Sequence, residues 1–130
     1  MTRLVKCDRS LEELEPDRRP VPTDGETRLM ATVRTLRRKP LTDLTVEDLR
    51  LLIGQDVGLP HLLPLAMEVL RLDPLAEGDM YEGDLLAAVL SRGPEAWSAF
   101  PELHRQLHLI VAGLAEVPPA VQGAVRQWRT

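Results

Sequence analysis

Residues 60–72 read PHLLPLAMEVLRL, with apolar side chains at Leu62, Leu63, Leu65, Ala66, Val69, Leu70 and Leu72. Steps of three and four between these positions are the signature of a helix, and here the apolar surface covers more than half its circumference. Pro60 suits the opening turn, where its missing N–H costs nothing. The segment is therefore predicted to be the central helix of a helical domain.

The flanking segments follow the same period. Upstream, PLTDLTVEDLRLLIGQDVGLP places Thr45 as a Thr-x-x-Asp cap, with Glu47 and Asp48 in the first turn, where acidic residues complement the helix dipole. Leu49, Leu51, Leu52 and Ile53 supply its buried face, and Gly54 or Gly58 its exit. From Glu26 to Arg38, Leu29, Met30, Val33 and Leu36 form one stripe opposite Arg28, Arg34 and Arg38, and Pro40 ends the helix. Downstream, helices are predicted over Asp84–Leu90, closed by Arg92-Gly93-Pro94, then over Pro101–Ala115 and Pro118–Trp128. Leu103, Leu107, Ile110, Val111 and Leu114 are spaced for burial on the second of these, and Val121, Val125 and Trp128 on the last.

No run of alternating β-branched residues bounded by turn signals occurs. The fold class is all-α, a single-domain irregular bundle of about six or seven helices. Residues 1–25 form a proline-rich N-terminal arm (Pro16, Pro20, Pro22, then Asp24-Gly25), with one short helix at the Ser10-Leu-Glu-Glu13 capping box. Residues 26–130 form the helical domain.

Composition narrows the function. The 130 residues are 44% hydrophobic, 28% charged and only 3% aromatic, so the core is built from Leu, Val and Ala. The net charge of −4 lacks the basic surplus of a nucleic-acid binder. A single cysteine, Cys7, makes neither an internal disulfide nor by itself a zinc site. No signal-peptide core and no uninterrupted apolar stretch of membrane-spanning length occurs, so a soluble cytoplasmic protein without a membrane partner is expected.

The connection DPLAEGDMYEGDLL, residues 73–86, holds Asp73, Glu77, Asp79, Glu82 and Asp84, with no Lys or Arg. Counted as a calcium loop from Asp73, it puts Gly78 at the required position 6. It then fails, because Leu75 and Tyr81 stand where oxygen ligands are needed and Asp84 stands where a bidentate Glu belongs. Two readings stay open: a connecting loop in which Asp84 or Gly83 caps the next helix, and a protein-binding surface. His104 and His108 have zinc-compatible spacing but no Glu follows His104 to serve as a base, and they read as helix-face residues. No serine elbow and no glycine-rich phosphate loop appears. The expectation is a non-enzyme with no cofactor and no metal.

The blocks LTDLTVEDLRLLIGQ (41–55) and DPLAEGD…GDLL (73–86), separated by the leucine-rich helix, resemble the immunity proteins of bacterial contact-dependent growth inhibition systems, of the CdiI-like actinobacterial type. The likeness extends from Lys39 to Leu90 and more loosely upstream, fading after Leu90 to Trp97 and a helix. It leads one to expect an aromatic residue and a proline where this chain has Met80 and Glu82. It implies a non-catalytic protein that binds a cognate toxin domain. Many such toxins are nucleases with basic surfaces, and clustered carboxylates would steer them. The toxin-binding candidates are Asp73, Glu77, Asp79, Met80, Tyr81, Glu82 and Asp84. The alternative is a regulatory helical domain that contacts nucleic acid through the basic helix 27–39.

Overall fold

The structure, a computed structural model, describes residues 9–14 and 27–129. The proline-punctuated stretch through Gly25, the expected helix start at Glu26, and Cys7 lie outside the described residues. Among those described there are eight α-helices and no strand, so the fold is all-α. The chain divides into two compact units, Met1–Leu44 and Thr45–Thr130.

In the first unit, α1 (Leu11–Leu14) is a single turn started by the Ser10/Glu13 capping box. The Glu13 N–H donates to Ser10 Oγ at 3.3 Å, and the Ser10 N–H donates to Glu13 Oε1 at 3.1 Å. Helix α2 (Arg28–Arg37) is capped by Thr27, whose hydroxyl accepts from the Met30 N–H. The expected stripe on α2 is only partly buried: Leu36 lies inside, whereas Leu29 and Met30 are exposed. A 3₁₀ turn over Leu41–Asp43 follows, and Ser10 bridges Pro40 in antiparallel fashion.

The second unit holds α3 (Val46–Gly54), α4 (Leu59–Leu72), α5 (Asp84–Leu90), α6 (Pro94–Trp97), α7 (Pro101–Ala112) and α8 (Pro119–Arg129). Helix α3 starts at the predicted box: Thr45 Oγ1 accepts from the Asp48 N–H and Asp48 Oδ2 accepts from the Thr45 N–H. Helix α4 is central, packing against α3, α5 and α7. Leu62, Leu63, Leu65, Ala66, Met67 and Leu70 are buried there, enough for any Leu→Ala change to cost about 2–5 kcal/mol. Helix α5 packs in turn on α3 and α8, and five of its apolar residues are buried: Leu85, Leu86, Ala87, Val89 and Leu90.

Three expectations change. Leu72, expected on the buried face, is 90% exposed because it is the last helical residue, where Asp73 leaves helical geometry. Helix α7 stops at Ala112 rather than residue 115, since Gly113 has the poorest helix propensity outside proline. The extra helix α6 is a single turn, and the Gly93-Pro94 pair expected only to close α5 also opens it. Among the described residues no helix is long and apolar enough to cross a membrane.

Candidate functional site

The acidic connection between α4 and α5 is a folded element. The Ala76 N–H donates to the Asp73 carbonyl at 3.0 Å, Gly83 N–H to the Leu75 carbonyl at 3.2 Å, and Asp84 N–H to the Tyr81 carbonyl at 3.0 Å. Ala76 is buried beneath these turns. Of the two caps considered for α5, the structure uses Gly83, with Asp84 as the first helical residue.

Asp84 is only 2% exposed, and its carboxylate organises the loop from inside. Its Oδ1 accepts the Gly78 N–H at 2.7 Å, while Oδ2 accepts the Met80 and Tyr81 N–H groups at 3.0 and 3.3 Å. The remaining amide of this run, Asp79 N–H, donates at 2.8 Å to Glu47 Oε1 on α3. Four consecutive backbone donors, residues 78–81, thus converge on two carboxylates supplied by the chain itself. Converging N–H groups of this kind form an anion-binding concavity, here filled by side chains.

Arg50 balances that charge. Its Nε donates to Glu47 Oε1 at 2.6 Å, and it stands 3.8 Å from Asp84 Oδ2 as an ion pair. The Arg50 hydrogen bond, aided by the Asp79 N–H, holds the Glu47 carboxyl below its usual range against the opposing effect of burial. The same bond raises the Arg50 guanidinium above its ordinary value.

Two glycines make room. A Cβ at Gly78 would meet Glu47 Oε1 at 2.6 Å and Asp84 Oδ2 at 3.0 Å. Gly83 adopts φ +85°, and a Cβ there would meet Val121 Cγ2 of α8 at 2.7 Å.

The other candidates face outward. Asp73, Glu77, Asp79 and Glu82 are exposed, Met80 is 64% exposed and Tyr81 lies at 36%. Leu72, at the start of the same connection, is exposed as well. The loop therefore brings together six of the seven sequence candidates at its surface and holds the seventh, Asp84, within. Sequence reasoning missed Glu47 and Arg50. Their i,i+3 spacing beside the Thr45 cap signalled a helix-start ion pair, but nothing local connected that pair to a loop 32 residues away.

His104 and His108 lie 4.8 Å apart between ring centroids, and both pack on Trp128, at 4.9 and 4.7 Å. Trp97 adds a fourth ring, 5.6 Å from His104. An open cavity of about 400 Å³ beside them is lined by Arg92, Pro94, Trp97, His104 and Trp128 among others. Burial, and secondarily His108, lowers the pKa of His104. Among the described residues, no group of three or more His, Cys, Asp or Glu side chains is placed to hold a metal ion. On the basic helix, Arg38 pairs with Glu12 at 3.3 Å.

A family model described as CDI immunity proteins matches residues 13–107, well over half of the chain and including the whole α4–α5 connection. No curated protein matches the chain.

Proposed function

This chain belongs to the CDI immunity proteins, and on that premise we propose that it binds a cognate toxin domain non-covalently and neutralises it in the cytoplasm. It acts by association and not as an enzyme, blocking the toxin's active site or holding the toxin inactive.

The observation that carries the reading is the outward face of the α4–α5 loop. Asp73, Glu77, Asp79 and Glu82 share the exposed side of the connection with Met80 and Tyr81, and no Lys or Arg lies between Arg71 and Arg92. Clustered carboxylates speed encounter with a basic partner, such as a nuclease, and disfavour acidic ones. Tyr81 is the aromatic anchor and Met80 the adaptable apolar contact. Asp84 serves the interface from within, by shaping the loop.

A pull-down with the product of the adjacent gene tests the reading, and the absence of a complex sinks it for that pair. The double reversal Glu77→Lys with Glu82→Lys is expected to weaken binding and leave folding intact. Unchanged affinity would move the interface elsewhere on the protein.

A further inference from the structure

We propose that Glu47 is a positioning residue for partner binding, reaching from α3 to fix the Asp79 amide so that the loop meets its partner already ordered. The inference rests on the immunity reading above and adds to it a residue outside the acidic connection.

Three of the four inward N–H groups are held by Asp84, which belongs to the loop's own end. Asp79 alone is held from an element distant in the chain, by Glu47 of α3 at 2.8 Å. That bond ties the loop to α3, and α3 is anchored by buried Leu49, Leu52 and Ile53. Arg50 clamps Glu47 through two hydrogen bonds, one to each carboxylate oxygen, so the acceptor is itself held in place. The Glu47 side chain is only one-fifth exposed, which suits support of the loop more than a broad contact with a partner.

The orientation has a chemical consequence. With the donors of residues 78–81 turned inward, the exposed carboxylates of Asp79 and Glu82 present hydrogen-bond acceptors to a partner. The matching surface is rich in donors, meaning guanidinium and ammonium groups. An ordered loop loses less conformational freedom on binding, so the support from Glu47 appears as affinity.

The test measures affinity of the full chain for the product of the adjacent gene, together with amide hydrogen exchange at residues 78–81. Glu47→Ala is expected to bind about tenfold more weakly, with faster exchange at Asp79 and a melting temperature that is lowered but stays well above the temperature of the binding measurement. Glu47→Gln keeps a carbonyl acceptor for the Asp79 N–H and is expected to stay within about threefold of the parent chain. Should Glu47→Ala not fold, Glu47→Asp carries the same expectation, because its shorter side chain draws the carboxylate away from Asp79.

Parent-like binding by the Ala or Asp variant overturns the inference. So does equal weakening by Glu47→Gln and Glu47→Ala, which would mark Glu47 as a direct charge contact. A parent chain that does not bind the adjacent product is a different failure: it removes the immunity reading for that pair, and this inference with it.

Discussion

The Gly78 N–H donates to Asp84 Oδ1 at 2.7 Å, and the same carboxylate stands where a side chain at position 78 would have to go. This contact closes the loop onto α5. It ties the choice of glycine to the choice of aspartate six residues later.

Removing the carboxylate should therefore cost more than a surface charge would. Asp84→Ala leaves three backbone N–H groups without their acceptor and takes a counter-charge from Arg50. We expect a loss of about 3 kcal/mol or more, read from denaturant unfolding. Asp84→Asn retains one acceptor oxygen and should fall between. Equal stability of Asp84→Ala and the parent chain would mean that the loop contributes nothing to folding.

Gly78→Ala and Gly83→Ala should both destabilise, for different reasons. At position 78 the new methyl presses on two carboxylates held in place by Arg50 and by backbone amides, an overpacking cost of about 1–3 kcal/mol. At position 83 the left-handed backbone adds to a 2.7 Å approach to Val121. The double change Gly83→Ala with Val121→Ala should relieve the crowding and keep the backbone strain, of order 1 kcal/mol.

The histidine cluster predicts a pH dependence. Burial lowers the pKa of His104 from 6.5, so the folded chain takes up a proton less readily than the unfolded one. The stability this contributes is fully present above pH 6.5 and is lost as pH falls through the lower folded value. Melting temperatures measured from pH 8 to pH 5 should decline, and His104→Gln should flatten that decline. Glu47 acts in a separate window: its lowered pKa contributes stability above 4.5 that disappears at more acid pH.

Thr45→Ala breaks a reciprocal box on α3 and should cost about 1 kcal/mol, measurable as a shift in the unfolding midpoint. Because α3 carries Glu47, the variant should also speed exchange of the Asp79 amide if fraying of the first turn reaches the loop.

Much of the helical framework was legible because its instructions are local. The Thr45/Asp48 and Ser10/Glu13 boxes lie within one turn of chain, and the span Asp84–Leu90 emerges unchanged in the structure. Helix ends were less secure where no cap was written: α7 loses three residues at Gly113, and α6 hides in a Gly-Pro pair that reads equally as a stop. Leu72 fits the apolar period of α4 yet faces solvent, since periodicity says which face a residue occupies but not how far the neighbouring elements extend along it.

For the acidic connection, the residue types alone excluded an ordinary calcium loop and narrowed the choice to capping or partner contact. Tertiary structure turned one carboxylate inward as the loop's internal acceptor and left the other four at the surface. Asp84 turns inward because four successive amides converge where α5 begins, with Glu47 and Arg50 completing the arrangement from α3. Asp73, Glu77, Asp79 and Glu82 remain outside. Helix pattern and caps depend on residues three or four apart, which the sequence by itself determines. The direction of each acidic side chain depends on packing between α3 and α5, which brings together residues more than thirty positions apart and exists only once the chain has folded.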